Sequence, residues 1–208
     1  CRHGAAYTII ESDYAEIKSE TCYFVPLNQH FEVWRLKLTN TSSRIRRLSL
    51  FTFVEYANNW NAMDDLLNLQ YTQYTGKMDV VDGIISHGTN VHIPEMPDNF
   101  NEKDQGRYSF MAFTGGELVG YETDLEKFLG SYRTYANPQV VDDGRCSNSL
   151  AVGDNMCGVL QIDPVLEPGE TKEFVVLMGV GKAESTGKQV VKEFGSSERL
   201  DAEFDKLK

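Results

Sequence analysis

The chain has 208 residues, 41% of them hydrophobic and 11% aromatic, which is enough apolar material for one large β domain or two small ones and argues against disorder away from the ends. Its 20 basic and 31 acidic residues leave a net charge of −11, so a nucleic-acid backbone or an anionic membrane would be repelled, and a neutral partner such as a sugar suits the balance better. There is no run of about eighteen apolar residues to span a membrane, and the opening Cys1-Arg2-His3-Gly4 carries no apolar leader and reads as a cut from a longer chain.

From residue 6 to about 57 the pattern is strand after strand. Tyr7 to Glu11 is rich in β-formers. In the next run Ile17, Ser19, Thr21, Tyr23 and Val25 share one face, and Lys18, Glu20, Cys22 and Phe24 share the other. Pro26-Leu27-Asn28-Gln29 supplies a turn. The strand Phe31 to Leu38 places Trp34, Leu36 and Leu38 opposite Phe31, Val33, Arg35 and Lys37. Asn40-Thr41-Ser42-Ser43 turns into a long fourth strand, Ile45 to Tyr56. Short polar turns without intervening helices predict antiparallel meanders, which a sandwich buries.

Asn58 to Asn68 breaks this period and reads as a loop or one helical turn. Strands are expected at Leu69 to Thr75, Met78 to Val81, Ile84 to His87 and Arg107 to Phe113, with an exposed loop over residues 93–106. Asp124 to Leu129 reads as one helical turn capped by Thr123 or Asp124. A long irregular stretch from Gly130 to Gly158 is of the kind that serves a function or lies under another part of a protein. Val159 to Ile162 and Phe174 to Val180 read as a hairpin-like pair around Glu167-Pro168-Gly169-Glu170, the apolar run Phe174 to Met178 being buried on both faces. After Gly181 the apolar residues Val190, Val191, Phe194, Leu200, Phe204 and Leu207 take helical spacing, interrupted by Gly195-Ser196-Ser197. Two short helices, or one broken helix, leaving the β domain are the reading there.

The cysteines Cys1, Cys22, Cys146 and Cys157 form no C-x-x-C pair and share no ligand spacing with histidine, so they read as reduced structural thiols of a cytosolic protein. Asp64-Asp65 is an adjacent acidic pair, but glycosidic chemistry needs two carboxyls on opposite sides of the bond, so turn or surface charge is the better reading. His3, His30, His87 and His92 have no nucleophile partner, and neither Gly115-Gly116 nor Gly179-x-Gly181 has the context of a phosphate loop. Catalysis is therefore not written in this sequence. Binding chemistry is easier to find. Asn59-Trp60-Asn61, the run Asn68-Leu69-Gln70-Tyr71-Thr72-Gln73-Tyr74 and the loop Tyr132-Arg133-Thr134-Tyr135-Ala136-Asn137 combine aromatic planes with amides and a guanidinium, the pairing that sugar C–H faces and hydroxyls need. Ordinary strand surface carries the same residues.

The series Cys1-Arg2-His3-Gly4-x-x-Tyr7-Thr8, Phe24-Val25-Pro26-Leu27, Leu38-Thr39-Asn40-Thr41-Ser42 and Leu48-Ser49-Leu50-Phe51-Thr52-Phe53-Val54-Glu55 continues through Trp60-Asn61-Ala62-x-Asp64-Asp65-x-x-Asn68-x-Gln70 and Asp124 with Phe128-Leu129-Gly130-x-Tyr132. In this order it resembles the N-terminal domain of cellobiose and cellodextrin phosphorylases, glycoside hydrolase family 94, over about residues 1–182. The resemblance implies an all-β, galactose-mutarotase-like antiparallel supersandwich over residues 1–182. Residues 183–208 would begin a helical linker towards an (α/α)6-barrel catalytic domain outside this sequence. It further implies a homodimeric, cytoplasmic enzyme that splits cellobiose or cellodextrin with inorganic phosphate, with no cofactor, inverting the anomeric centre. The catalytic acid and phosphate site would belong to the barrel. In cellobiose phosphorylases an Arg after Asn-x-Gln contacts the acceptor sugar; here that position is Tyr71, beside Asn68 and Gln70, so the acceptor subsite is expected to differ and to favour stacking on a longer chain. Trp60, Tyr132 and Arg133 are expected nearby, and no metal ligand is expected. The competing readings are a freestanding carbohydrate-binding module, a purely structural dimerisation domain and, last, an autonomous hydrolase.

Overall fold

The computed structural model describes residues 1–56, 76–90, 106–153 and 155–207. Its first half is built from β1 (Arg2–His3), β2 (Tyr7–Tyr14), β3 (Ile17–Phe24) and β4 (Phe31–Asn40), then three two-residue strands, β5 (Arg46–Arg47), β6 (Leu50–Phe51) and β7 (Val54–Glu55). Next come β8 (Gly76–Val81), β9 (Ile84–Asn90), β10 (Gly106–Thr114), β11 (Leu118–Asp124), α1 (Leu125–Leu129), α2 (Gln139–Asp143), β12 (Met156–Ile162), β13 (Val165–Leu166) and β14 (Thr171–Val180). A π-helical turn, Ala183–Gly187, leads into α3 (Lys188–Phe194) and α4 (Ser197–Asp205).

The strands form an eight-stranded antiparallel sheet in the order β1-β2-β3-β4-β14-β10-β9-β8, and a smaller sheet in which β12 is flanked by β11 on one side and by β6 and β7 on the other. Two-residue turns set the register. Ala15 and Glu16 close the β2–β3 hairpin with φ of 49° and 64°, and Asp82-Gly83 close β8–β9 with φ of 50° and 78°; positive φ at both positions matches the right-handed twist of the flanking strands.

Period two along each strand then divides the side chains between two cores. On β4, Phe31 and Val33 join Cys22, Phe24, Phe110, Val175 and Leu177 in a core capped by Val190, Phe194 and Leu200 of the helices. Trp34, Leu36 and Leu38 face the other way, into the core between the sheets with Ile85, Met111, Leu160 and Phe174. A third core lies outside the small sheet, where Cys157 and Val159 meet Leu125, Phe128, Val140 and Cys146. The molecule is thus layered as helices, large sheet, small sheet and the α1–α2 segment. Strand β14 lies between β4 and β10 with Phe174, Val175, Val176 and Leu177 all buried, as the unbroken apolar run predicts.

Four expectations change. The long strand over Ile45 to Tyr56 is three short ones: β5 pairs with β13 rather than β12, and Thr52 separates β6 from β7, its Oγ1 accepting from Leu160 N at 2.8 Å while its own N–H donates to Leu160 O at 3.0 Å. Val159 to Ile162 and Phe174 to Val180 are not a hairpin but belong to different sheets. The chain crosses between them through β13, which pairs with β5, and the turn expected at residues 167–170 is present, with Gly169 at φ 76°. Strand β11 has no counterpart in the sequence reading. Its Glu122 and Gly120 look like surface and turn, yet Glu122 is fully buried, and a Cβ at Gly120 would lie 2.9 Å from that of Cys146. Finally, the helices do not leave the β domain at residue 183. They fold back onto the large sheet, with ring centroids of Phe31 and Phe194 at 4.9 Å and of Tyr7 and Phe204 at 4.9 Å.

Candidate functional site

The segment from Leu50 to Tyr56 runs along the border of the small sheet, above the inner face of β3 and β4. Its last residues, Glu55 and Tyr56, immediately precede the stretch holding Trp60, Asn68, Gln70 and Tyr71; those four expected sugar contacts, with Asp64 and Asp65, lie outside the described residues. Tyr135 Oη donates to Glu55 Oε2 at 2.9 Å, and the Tyr135 ring sits edge-on to Phe53 at 5.8 Å. This brings the irregular 130–137 loop against β7 and the residue before it. The hydrogen bond to Glu55, reinforced by partial burial, raises the pKa of the Tyr135 phenol.

The two described members of the expected set behave differently. Tyr132 is fully solvent-exposed with φ of 62°. Arg133 Nη1 donates to Asn137 O at 3.3 Å and pairs with Asp142, helping to hold α2 against the loop. Asn137 Oδ1 in turn accepts from Thr134 N and Thr134 Oγ1. The loop therefore presents Tyr132 and Tyr135, and uses Arg133 and Asn137 to keep its own shape.

Next to Glu55 a groove of about 670 Å³ opens between the sheets, with Val25, His30, Glu32, Tyr56, Ser109 and Val180 among its walls. Tyr56 stacks on His87 at 4.6 Å and 21°, and His87 Nδ1 lies 3.5 Å from Ser109 Oγ. The Tyr56 hydroxyl is buried and has no hydrogen-bond partner among the described residues; burial pushes its pKa well up, so it is a neutral donor at any ordinary pH. Farther along, Trp34 Nε1 donates to Glu32 Oε1 at 2.5 Å, and the indole meets the Tyr23 ring at 5.8 Å. Sequence reasoning missed Glu32, Glu55 and Tyr56. The period-two face shared by Trp34 and Glu32 was the available signal, but only the small sheet makes a wall opposite it.

The buried acidic residue is structural. Glu122 accepts from the backbone N–H and hydroxyl of both Ser147 and Ser149, clamping the segment after α2 onto β11. Asp124 caps α1 as expected, accepting from Glu126 N at 2.9 Å and Lys127 N at 3.2 Å. The cysteines are free thiols, and Cys1 alone is exposed. Among the described residues no cluster of His, Cys, Asp and Glu could hold a metal, and no helix is long and apolar enough to cross a membrane.

A large antiparallel sheet packed on a smaller one defines a β supersandwich. The chain matches the glycosyl hydrolase 94 supersandwich domain over residues 1–197 and belongs to that family. It is 31% identical over its whole length to an N,N'-diacetylchitobiose phosphorylase of Vibrio proteolyticus, covering 24% of that protein. It is 29% identical, again over its whole length, to a solabiose phosphorylase of Paenibacillus borealis, covering 25% of it. A 3-O-beta-D-glucopyranosyl-beta-D-glucuronide phosphorylase of the same species is 29% identical over 85% of this chain and is covered to 22%. The chain thus spans about a quarter of the length of the curated relatives it matches.

Proposed function

We propose that this chain is the non-catalytic supersandwich part of an inverting β-glycoside phosphorylase, supplying dimer scaffolding and one wall of the acceptor-sugar site. The observation that carries the reading is end-to-end similarity to relatives named as phosphorylases of different glycosides. In the reaction, a phosphate oxygen attacks the anomeric carbon and the glycosidic C–O bond breaks. The departing acceptor oxygen takes a proton from an acid outside these 208 residues. Inorganic phosphate is a co-substrate, and no cofactor is needed. The proposed substrates are cellobiose or a short cellodextrin, giving glucose 1-phosphate and a shortened sugar. Asn68, Gln70, Tyr71 and Trp60 would meet the acceptor, with Tyr132 beside them. Arg133, whose Nη1 pairs with Asp142, would present the rest of its guanidinium nearby. The buried free thiols suit a reducing compartment, and we read the protein as cytoplasmic.

The test uses the whole protein that carries this chain, incubated with phosphate and, in parallel, cellobiose, cellotetraose and N,N'-diacetylchitobiose. Release of a sugar 1-phosphate is expected with a glucan, and turnover of chitobiose alone would move the substrate to an N-acetylated sugar. Tyr71→Ala should raise the acceptor KM about tenfold in the synthetic direction, the scale of one lost stacking and hydrogen-bonding contact. Unchanged KM and kcat would remove Tyr71 from the site.

A further inference from the structure

Strand β2 is covered on its outer side only in part. Arg2 of β1 pairs with Ile9 and His3 with Thr8, and no other described strand lies on that side of β2. The five residues from Ile10 to Tyr14 therefore form an open edge of the eight-stranded sheet, roughly 17 Å long at about 3.3 Å per residue. All five are exposed, Tyr14 by 82%. The two-residue turn at Ala15 and Glu16 fixes which backbone groups look outward. Tyr14 and Ile17 flank it as a hydrogen-bonded pair, so Ser12 and Ile10 also bond towards β3, while the N–H and C=O of Glu11 and Asp13 point away from the sheet. The alternation continues to the start of the strand, where Tyr7 O points outward and accepts from Gly4 N at 2.9 Å. An outward row of this kind is a template for another strand.

We infer that polypeptide in line with β1, on the N-terminal side of Cys1 in the whole protein, docks on this edge and extends β1 antiparallel to β2 as far as Tyr14. This occupant presupposes the longer phosphorylase proposed above, of which the chain would be about a quarter. Three observations select it. The register is already set: with Arg2 opposite Ile9, the residue immediately before Cys1 falls opposite Glu11 and the third before it opposite Asp13, the two positions whose backbone groups look outward. Cys1 already follows the extended course. Its Sγ lies 3.4 Å from His3 Nε2, as side chains two apart on one strand face do, and His3 Nδ1 meets Thr8 Oγ1 of β2 at 3.0 Å. A second copy of the chain fits poorly, because antiparallel self-pairing sets Glu11 or Asp13 directly opposite the same two carboxylates, and like charges so placed destabilise a ladder. Arg2 at 3.6 Å and Lys18 at 4.0 Å offset Glu11, but among the described residues no cation lies within 4.0 Å of Asp13.

The experiment is amide hydrogen exchange on the whole protein, resolved residue by residue. The Glu11 and Asp13 amides are expected to exchange at least about a hundredfold more slowly than an open edge allows. A whole protein shortened to begin at Cys1 should return both to fast exchange, while Ser12, bonded to β3, stays slow. Proline in place of the residue immediately before Cys1, where an N–H must meet Glu11 O, should speed exchange at Glu11. Proline one position earlier, whose N–H would point away from β2, should do so far less. Fast exchange at Glu11 and Asp13 in the intact protein overturns the inference, and so does protection that survives the shortening. Protection lost when the intact protein is diluted to a monomer assigns the edge to a second copy and overturns it as well. A protein that shows the protection yet cleaves no sugar with phosphate would sink the proposed function and leave this pairing standing.

Discussion

Asn40 is fully buried where β4 ends, and every polar atom of its amide is used. Its Nδ2 donates to Arg44 O at 2.8 Å and to Leu166 O and Glu167 O at 3.1 Å, while Oδ1 accepts from Ser42 N and Ser42 Oγ. One side chain thereby ties the turn after β4 to the turn before β14. Asn40→Ala strands several buried groups and is expected to cost about 2–4 kcal/mol, read as a lower urea midpoint with unchanged slope. The thiols give a second prediction at this scale. Burial raises Cys146 from 9.0 to about 12, with Glu122 and Asp163 adding repulsion, and it raises Cys157 further. A folded pKa above the unfolded one means the stabilisation is whole below pH 9 and is lost as pH climbs from there towards about 12. The melting temperature should fall across that window, and Cys146→Ala should flatten the fall. A disulfide reagent at pH 8 should find one fast thiol, Cys1, out of four. The sequence pointed to reduced, inert cysteines because no spacing suggested otherwise. It gave no hint of Asn40's role, which depends on two turns 126 residues apart.

Elements were legible wherever a single physical rule was enough to specify them. The alternation along β3 and β4 could be read directly because each face meets a different core. The Asp124 cap of α1 was legible because capping is local. Strand β11 was not, because the burial of Glu122 is bought by four hydrogen bonds from residues 25 and 27 positions away. Helix α3 rests on contacts of the same distant kind. Phe194 is 2% exposed, packed on Phe31 and covered by the Arg199 guanidinium at 4.9 Å. Phe194→Ala should cost about 3–5 kcal/mol by calorimetry or urea unfolding. A loss under 1 kcal/mol would show that α3 is only loosely attached.

At the scale of the molecule, α3 and α4 serve as the lid of a core. Arg35, on the helix-facing side of β4, pairs with Glu173 at 2.8 Å and with Asp201 of α4 at 2.5 Å, and Ser197 Oγ donates to Glu173 at 2.7 Å. Burial works against the Arg35 cation, but the hydrogen bonds it donates to Glu173 and Asp201, with their charges, outweigh it and hold its pKa above the usual value. Deleting residues 183–208 would bare Phe31, Val33, Phe110 and Leu177. The shortened chain should bind a hydrophobic dye strongly and melt at least 10 °C lower, on the order expected for loss of several buried side chains. A shortened chain that melts like the parent would show instead that the sheet stands without its helices.

By itself the sequence determined the strand-rich class, the division of side chains between two faces and the helical character of the last residues, because these follow from period, local capping and composition; the supersandwich was implied by the resemblance its ordered motifs carry. Tertiary structure alone decided that the helices cover the sheet, that β12 and β14 lie in separate layers, and that Arg133 pairs with Asp142. It alone brought Glu32, Glu55 and Tyr56 to one groove. Those facts arise from residues far apart in sequence meeting in space, and no local pattern encodes which distant partner a buried group will find.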